Sequence, residues 1–269
     1  MKTTASIVLY NNNVEELTYV VSCVLKCKFI DKLYLIDNSP KSLSQSFRVD
    51  ERIEFIFNNA NLGYGKAHNI AIQKSKGLSK YHLILNPDIS FSEGTLESIY
   101  NFMEQNPDVG QLMPKILYND GEIQRLCKLL PTPFDLIGRR FFKHSGWAQK
   151  RNQKYELCGF SYDKIINTPC LSGCFMFFRN EILQESGGFD PRYFMYLEDY
   201  DLTRRVHKLT KTIFYPEVQV FHGFKKESYS NPVLLKHHIR SAIKYFNKWG
   251  WVWDKDRDEL NKQILRQVS

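Results

Sequence analysis

The sequence predicts an α/β fold with a mostly parallel central sheet flanked by helices. Through about residue 117, short apolar segments alternate with segments of helical periodicity, and polar residues follow most of the apolar segments. This alternation is typical of βαβ units, in which helices cover both faces of a parallel sheet. The 269 residues are enough for one large domain or two small ones with a sizeable core.

The first 117 residues are predicted to contain five strands and three helices. Apolar residues from Val14 to Leu25 recur at helical spacing, Gly77 would end the second helix, and Ser92 would cap the third. The predicted strands are 5–10, 32–39, 52–59, 81–86 and 109–117, and the predicted helices are about 14–25, 65–77 and 92–107.

The rest of the chain is less regular. Residues 118–168 are basic and aromatic, and their lack of periodicity indicates a long functional loop or a lid. The basic residues of this segment include Arg139, Arg140, Lys143, Lys150 and Arg151. Beyond it, the patterns predict a strand and a short helix in 169–183, turns and a helix in 187–209, a strand in 211–222 and helical structure in 231–267.

Charge and apolar patterns narrow the class of protein. The formal net charge of +8 favours anionic partners such as phosphates, nucleic acid or anionic lipid. Nucleic-acid binding is disfavoured, because the lysines are scattered and no recognised binding motif is present. No apolar run approaches the 18 residues of a membrane-spanning helix, and the N-terminal apolar run is too short for a signal peptide, so we expect a cytosolic protein.

The six cysteines form no CxxC pair. Cys23/Cys27 and Cys170/Cys174 are each spaced by four residues, but no histidine pair completes a zinc site. We therefore expect reduced thiols that pack as small hydrophobic side chains.

Polar residues follow four predicted strands at the point where each strand ends. In parallel α/β sheets, ligands bind beyond the carboxyl ends of the strands, so we expect these side chains to converge on one site. They are Tyr10 and Asn11, Asp37 and Asn38, Asn58 to Asn61, and Asn86 and Asp88.

The segment Asn86-Pro87-Asp88 is a candidate for binding a divalent cation. Mg²⁺ or Mn²⁺ takes one or two protein oxygens and fills its remaining positions with water and substrate phosphates. Pro87 restricts Asn86 to extended backbone and stiffens the turn. An ordinary turn has the same composition, so these three residues alone do not identify a metal site.

A second group of acids, Glu198, Asp199 and Asp201, lies at a predicted helix start. Acids there stabilise the helix dipole, but a carboxylate beside an acceptor hydroxyl could also act as a general base. Because Glu198 and Asp199 are adjacent, their side chains point in different directions, and only one readily faces a cleft.

The segment NLGYGKAHN, residues 61–69, resembles a dinucleotide-binding turn only loosely. It has Gly63 and Gly65, lacks the third glycine and follows the third predicted strand, so it is not an NAD-binding motif. Glycines before a helix still allow close approach of a ligand, and Lys66 could contact a phosphate.

Seven segments in this order resemble family 2 glycosyltransferases of the GT-A fold, and bacterial rhamnosyltransferase-like members in particular. The resemblance implies a Rossmann-like sheet and an inverting enzyme that transfers a sugar from a nucleotide diphosphate, dTDP-rhamnose or a UDP-sugar, to a hydroxyl of a glycan or lipid-linked acceptor. Such reactions build bacterial surface polysaccharide. The segments, which span about residues 3–250, are IVLYNN, LIDNS, NLGYGKAHN, LILNPD, LSGCFMFFRNEI, GGFDPRYFMYLEDYDLTRR and VFH.

The sequence is less compatible with two other functions. A nucleotide-sugar or glycan-binding protein without activity could use the same scaffold, although the retained Asp88, Asp199 and His222 argue against it. A nucleotidyltransferase would normally carry a glycine-rich motif with a basic residue near the N-terminus, and the segment SIVLYNNNVEEL offers none.

The resemblance also implies a role for the second acidic group and a division into domains. Asp199, the second acid of LED, corresponds to the catalytic base, while Gly173 and Glu198 correspond to the acceptor side. The catalytic domain would be 1–230, with a nucleotide-sugar-binding half, 1–117, an acceptor-binding half, 118–230, and a C-terminal helical extension, 231–269.

On the donor side, the resemblance implies Mg²⁺ or Mn²⁺ as cofactor. Asp88 corresponds to the metal-binding acid of the family's DxD motif, whose first acid is replaced by Asn86. His222 corresponds to a histidine that approaches the metal and the diphosphate. The implied nucleotide and sugar contacts are Tyr10, Asn11, Asp37, Asn61, Gly63, Lys66, Asn69 and Asn86.

The basic and aromatic segment 234–255 is predicted to be an amphipathic helix followed by tryptophans. Such a helix suits an anionic membrane surface, where the basic 139–151 loop could join it at the inner face of the plasma membrane. Docking of the helix on the catalytic domain is the preferred interpretation of the same pattern. The predicted apolar face is Leu235, Ile239, Ala242, Ile243 and Phe246, followed by Trp249, Trp251 and Trp253.

Overall fold

The computed structural model describes residues 2–43, 50–138, 145–223 and 232–269. The strands in these ranges are β1 (Thr3–Leu9), β2 (Ile30–Asp37), β3 (Ile53–Phe57), β4 (Tyr81–Leu85), β5 (Ile89–Phe91), β6 (Val109–Leu117), β7 (Ile166–Asn167), β8 (Phe175–Arg179) and β9 (Lys211–His222). The helices are α1 (Val14–Lys26), α2 (Tyr64–Ser75), α3 (Thr95–Gln105), α4 (Pro133–Leu136), α5 (Gly146–Tyr155), α6 (Asn180–Glu185), α7 (Glu198–His207), α8 (Pro232–Trp249) and α9 (Arg257–Val268).

The strands form one sheet in the order β3-β2-β1-β4-β8-β6-β9-β5, and β7 pairs with β9. The α/β fold class is confirmed, and the described sheet is mixed: four strand pairings are parallel and four are antiparallel, among them those of β5 and β7 with β9. Pairing is parallel in β3-β2-β1-β4 and in β6-β9, whereas β8 runs antiparallel to both β4 and β6. Strand β8 can join the sheet in the antiparallel direction because it follows a long irregular segment and not a βαβ crossover.

Helices cover both faces of the parallel strands. On one face, Ile7 of β1 and Leu83 of β4 join Leu17 and Val20 of α1 in the main core. On the other face, Ile36 of β2 packs with residues of α2. All five residues of β4 are buried, as a strand covered on both faces requires.

A buried polar cluster lies beneath the parallel strands. The His82 imidazole lies 2.8 Å from the Thr4 hydroxyl and 3.0 Å from the Ser6 hydroxyl, which in turn lies 2.8 Å from His68 Nδ1. Burial lowers the pKa of His82 to about 3, and it also holds the pKa of His68 well below its ordinary value. Both histidines are therefore neutral in the folded protein.

The chain between β4 and α3 differs from the prediction. Residues 89–91 form β5, which was not predicted, and α3 follows Gly94 without a side-chain cap. The predicted Ser92 cap is therefore wrong. Pairing of β5 with β9 keeps the chain extended past Ile89, and this delays the start of the helix.

The segment predicted to be a long loop is partly helical. Thr132 and Asp135 form a capping box at the start of α4, and α5 covers ten residues. Arg151 of α5 donates to the Asp135 carboxylate at 2.8 Å, so this predicted loop cation has a structural partner. The other predicted loop cations Arg139, Arg140 and Lys143 lie outside the described residues.

Helix α8 and the turn that follows it pack on α7, as the docking interpretation predicts. Arg204 of α7 forms a bidentate ion pair with Asp254, and their side chains are only 1% and 3% exposed. The Trp249 indole donates to Asp201 Oδ1 at 2.8 Å. The domain boundaries themselves stay a prediction.

The predicted apolar face of α8 is wrong in part. Ala242 and Phe246 are buried against the catalytic core, whereas Ile239 and Ile243 are 36% and 41% exposed. The buried positions recur at spacings of three and four residues around Tyr245, so the docked face is rotated away from both isoleucines. Among the residues described, no helix combines the length and apolar composition that crossing a bilayer requires.

Candidate active site

The ends of the parallel strands meet at one edge of the sheet, as predicted. Leu9 at the end of β1 is in register with Asp37 at the end of β2. The residues that follow these strands are linked: Asn11 N–H donates to the Ser39 hydroxyl, and the Asn38 side chain donates to the Gly63 carbonyl at 3.2 Å. Tyr10 is 50% exposed at this edge.

Asp37 shapes the loop that follows β2. Its side chain is fully buried, and its carboxylate oxygens accept from the backbone amides of Ser39 and Leu43, each at 2.9 Å. Its predicted contact with the nucleotide stays a prediction.

Packing requires both glycines of NLGYGKAHN, and their predicted contact with the nucleotide sugar stays a prediction. A Cβ on Gly63, whose φ is +81°, would lie 2.2 Å from the Phe194 carbonyl oxygen. A Cβ on Gly65 would lie 2.7 Å from Phe189 Cβ. Asn61 accepts from the Gly63 amide at 3.0 Å and so sets up this turn.

Other predicted donor contacts on α2 differ in how accessible they are. The Asn69 amide donates to the Phe189 carbonyl at 2.7 Å and accepts from the Phe189 N–H at 2.9 Å. Asn69 therefore anchors the loop before α7, and the structure gives its predicted donor contact no support. Lys66 is exposed in the first turn of α2, a position from which a cation can reach a phosphate.

Asn86, Asp88 and His222 come together as the sequence predicts for the metal side. His222 Nε2 lies 3.4 Å from Asp88 Oδ1 and 3.2 Å from Asn86 Nδ2. The pairing of β5 with β9 produces this cluster, because Ile89 is in register with His222 and the Gly223 amide donates to the Asp88 carbonyl. The Asp88 side chain is 35% exposed, whereas that of His222 is 6% exposed.

Gln124, which sequence reasoning missed, orients the histidine. Its Oε1 lies 3.0 Å from His222 Nδ1, and its Nε2 donates to the His222 carbonyl at 2.8 Å. Nδ1 is thereby fixed, and Nε2 faces Asp88. Gln124 follows an irregular segment, so no periodicity could have identified it.

The electrostatics of this cluster suit a cation. Burial lowers the pKa of His222, but the neighbouring Cys174 and Asp88 outweigh burial and raise the pKa to about 10. The charged imidazole thus occupies the place of a positive partner for Asp88. The part of the chain that is described has no group of three or more His, Cys, Asp or Glu side chains arranged for a metal. A cation here would displace the proton from His222 Nε2, would have Asp88 and His222 Nε2 as protein ligands and would need further ligands from substrate.

Asp199 lies in the first turn of α7 and is held by backbone amides. Gly173 N–H donates to its Oδ2 and Tyr200 N–H to its Oδ1, each at 2.9 Å. The pKa of Asp199 is raised, because burial outweighs these hydrogen bonds. The backbone before it is constrained, since Tyr196 and Leu197 both have positive φ values, 69° and 66°.

The neighbouring Glu198 is 5% exposed, and its Oε2 has no hydrogen-bond partner among the described residues. Burial, together with the charge of Asp199, holds the pKa of Glu198 well above its ordinary value. Glu198 is thus buried, in contrast to the half-buried Asp199. Its predicted contact with the acceptor stays a prediction.

A single turn connects the two acidic groups. The Gly173 N–H donates to the Asp199 carboxylate. The carbonyl of the next residue, Cys174, accepts from the backbone N–H of Asn86 at 2.9 Å. Tyr64, which was not predicted, donates to the Gly173 carbonyl at 2.6 Å. The pKa of Tyr64 is raised well above its ordinary value by burial and by the charges of acids from both groups, including Asp88 and Asp199. The two acids therefore lie on either side of one compact site.

Comparison with known proteins assigns the chain to a family. Residues 6–187 of the 269 match the profile of glycosyl transferase family 2. The chain therefore belongs to family 2 of the glycosyltransferases. It is 25% identical over 234 residues to the N-acetylglucosaminyl-diphospho-decaprenol L-rhamnosyltransferase of Mycobacterium tuberculosis. The aligned region covers 81% of this chain and 73% of that protein.

Solved structures show the same GT-A fold. GalNAc-T7 with UDP, GalNAc and Mn²⁺ is similar with a TM-score of 0.62 and 15% identity, over 98% of this chain and 54% of that one. The mannosyltransferase PcManGT from Pyrobaculum calidifontis, in complex with GDP-Man and Mn²⁺, is similar with a TM-score of 0.58 and 15% identity, over 90% of this chain and 64% of that one. The chain thus spans about half to two thirds of these two proteins.

Proposed function

We propose that this protein is an inverting, metal-dependent glycosyltransferase that uses a nucleotide-diphosphate sugar. One observation carries the proposal: the Gly173 N–H binds the Asp199 carboxylate, and the Cys174 carbonyl accepts from the backbone N–H of Asn86, two residues before Asp88, so one turn joins the two acids. A direct displacement needs two such groups, one where the leaving diphosphate develops charge and one where the attacking hydroxyl loses its proton.

On the donor side, Asp88 and His222 would hold Mg²⁺ or Mn²⁺. The bound cation would supply charge neutralisation on the leaving diphosphate. Gln124 keeps His222 Nε2 directed at this position, and Asn86 offers an amide beside it. The nucleotide would lie along the ends of β1 and β2, near Tyr10 and Asn11. The structural neighbours that contain Mn²⁺ and a nucleotide or nucleotide sugar support this use of the site.

On the acceptor side, Asp199 would take the proton from the attacking hydroxyl. The hydroxyl oxygen forms a bond to the anomeric carbon as the bond from that carbon to the diphosphate oxygen breaks. Attack from the face opposite the leaving group inverts the anomeric configuration. Burial raises the pKa of Asp199, which strengthens its carboxylate as a base.

The relative from M. tuberculosis suggests the substrates and the location. That relative is named for transfer of L-rhamnose to a diphospho-decaprenol acceptor. We infer a donor such as dTDP-rhamnose, with UDP-sugars as the alternative, and a lipid-linked glycan acceptor used in surface polysaccharide synthesis. Such an acceptor would place the enzyme peripherally at the cytoplasmic face of the plasma membrane.

A donor-consumption assay tests the proposal. Wild-type protein is incubated with a panel of sugar nucleotides, an acceptor panel and Mn²⁺ or Mg²⁺, and the anomeric configuration of any product is determined by NMR. Asp199→Asn should reduce transfer by roughly 10²–10⁴-fold but keep donor binding, whereas the control Asp258→Asn, at a side chain 85% exposed on α9, should leave transfer unchanged.

Two results would contradict the proposal. A product with retained configuration would exclude direct displacement. Donor binding by wild-type protein without turnover for any acceptor would favour the alternative, a nucleotide-sugar-binding protein on the same scaffold. The observation that favours this alternative is Asn86, which replaces an acid where the family carries one.

A further inference from the structure

The outer face of α8 is exposed and carries both cations and large apolar side chains. Lys236, Arg240 and Ile243 follow at spacings of four and three residues, so they share this face. Residues 232–253 contain no acid, and the next acid, Asp254, is neutralised in its buried ion pair with α7. The face is therefore positively charged and partly apolar.

The turn after α8 exposes two more apolar side chains on a fixed backbone. Val252 is 74% exposed and Trp253 is 91% exposed. Gly250 has a φ of +107°, and a Cβ there would lie 1.9 Å from the Trp253 carbonyl oxygen, so only glycine fits this turn. Arg257 donates to the Val252 carbonyl at 2.9 Å and holds the turn from its other end.

We propose that these two elements form one surface that docks on an anionic lipid bilayer. The cations would contact lipid phosphates, and the tryptophan would enter the headgroup region, where indole rings are most stable. The purpose of docking rests on the proposed lipid-linked acceptor. We define the α8 surface as Lys236, Ile239, Arg240, Ile243, Val252 and Trp253.

The composition of the α8 surface favours a bilayer over a protein partner. The centres of protein–protein interfaces are depleted in lysine, whereas interfacial helices combine lysine and arginine with tryptophan and aliphatic residues. A second copy of the chain would bring two positive faces together, which is unfavourable.

The α8 surface is coupled to the candidate active site through the inner face of the same helix. Ser241 donates to the Met195 carbonyl at 2.7 Å, three residues before Glu198. His237 stacks on Phe194 with ring centroids 4.5 Å apart. A docked α8 would thus fix the position of the N-terminal turn of α7, which carries Asp199, relative to the bilayer.

Vesicle flotation of the purified full chain tests the proposal without using its activity. Vesicles of phosphatidylcholine with phosphatidylglycerol are compared with vesicles of phosphatidylcholine alone. Wild-type protein should bind the anionic vesicles, and Val252→Ser/Trp253→Ser should weaken that binding about tenfold or more. Lys236→Glu/Arg240→Glu should weaken it by at least about tenfold, and added salt should reproduce this loss.

Matched controls change exposed side chains elsewhere. Tyr19→Ser/Leu78→Ser removes side chains that are 60% and 51% exposed, and Lys76→Glu reverses an exposed charge at the residue that follows α2. Both controls should bind vesicles as wild type does. All variants should keep the wild-type melting temperature, because the replaced side chains are exposed.

Three results would overturn the proposal: no binding of wild-type protein to either vesicle, equal losses in the controls, or lipid-free self-association that the Val252→Ser/Trp253→Ser variant abolishes. Transfer to a water-soluble acceptor is measured in parallel. If transfer persists while vesicle binding is absent, the docking surface is disproved and the proposed glycosyltransferase function stands. If vesicle binding persists while transfer is absent, the docking surface stands and the proposed glycosyltransferase function is disproved.

Discussion

Asp88 and Asp199 lie on either side of one turn, but the protein holds them by different means. Asp88 is half-exposed, and the closest partner of its carboxylate is a side chain, His222, at 3.4 Å. Asp199 is held by two backbone amides on a helix that α8 fixes in place. The difference suits two tasks, since a metal ligand must exchange its partner on binding, whereas a base must keep one position relative to the acceptor.

The largest expected effect is on the Asp199 side. Asp199→Asn should reduce turnover by roughly 10²–10⁴-fold, because the amide cannot accept the proton. Since Asp199 is not a proposed metal ligand, raising the Mn²⁺ concentration should not restore turnover. Steady-state kinetics across a Mn²⁺ series would check this, and rescue by metal would place Asp199 on the metal side.

The packing of α7 against the C-terminal segment can be tested at the buried ion pair between Arg204 and Asp254. Asp254→Ala should lower the free energy of unfolding by about 3–5 kcal/mol, because Arg204 is left as an uncompensated buried charge. Asp256→Ala is the matched control: its exposed pair with Lys208, at 2.7 Å, should contribute at most about 1 kcal/mol. Urea unfolding measures both variants. Equal losses would show that the buried pair does not stabilise the docked helix.

The side-chain support of the metal side is tested at Gln124. Gln124→Leu should weaken Mn²⁺-dependent donor binding about 10–100-fold, because His222 loses the partner that orients Nε2. Titration calorimetry of donor with and without Mn²⁺ would measure this. The metal-independent part of donor binding should be unchanged, and a uniform loss would instead indicate a general effect on folding.

A smaller effect near neutral pH comes from the histidines beneath the parallel strands. In the unfolded chain His82 has its ordinary pKa of 6.5, and in the folded protein the pKa is about 3. Between these values the unfolded chain binds the proton and the folded protein does not. Stability should therefore be fully present above about pH 6.5 and should decrease progressively as the pH falls toward 3. Urea unfolding at a series of pH values would check this, and stability that is constant or rises on acidification would contradict the buried neutral pair.

The parallel half of the fold could be read from the sequence because its signals are local. Apolar periodicity identified β1, α1 and β4, and polar strand ends located the edge where the site lies. Asn86, Asp88, Asp199 and His222 could be named because the ordered motifs resemble those of a known family. The structure brings the first, second and fourth of these together, and it places Asp199 across the adjoining turn.

The remaining contacts depend on parts of the chain that are far apart in sequence. Gln124 and Tyr64 carry no local signal of their roles, which follow from packing against His222 and Gly173. The three-residue β5 is too short for a period, and only its pairing with β9 makes it a strand. Only the tertiary structure shows that the close approach of Phe194 requires glycine at position 63.

The sequence by itself determined the fold class and the sheet edge that carries the site, because periodicity and residue type act over a few residues. The acids that would perform the chemistry were named through the resemblance of the ordered motifs to a known family. Only the tertiary structure decided that β8 runs antiparallel, that Asp199 is held by Gly173, and that Ala242 and not Ile243 faces the core. Those outcomes depend on which distant surfaces bury one another, and burial is a property of the assembled core that no short segment encodes.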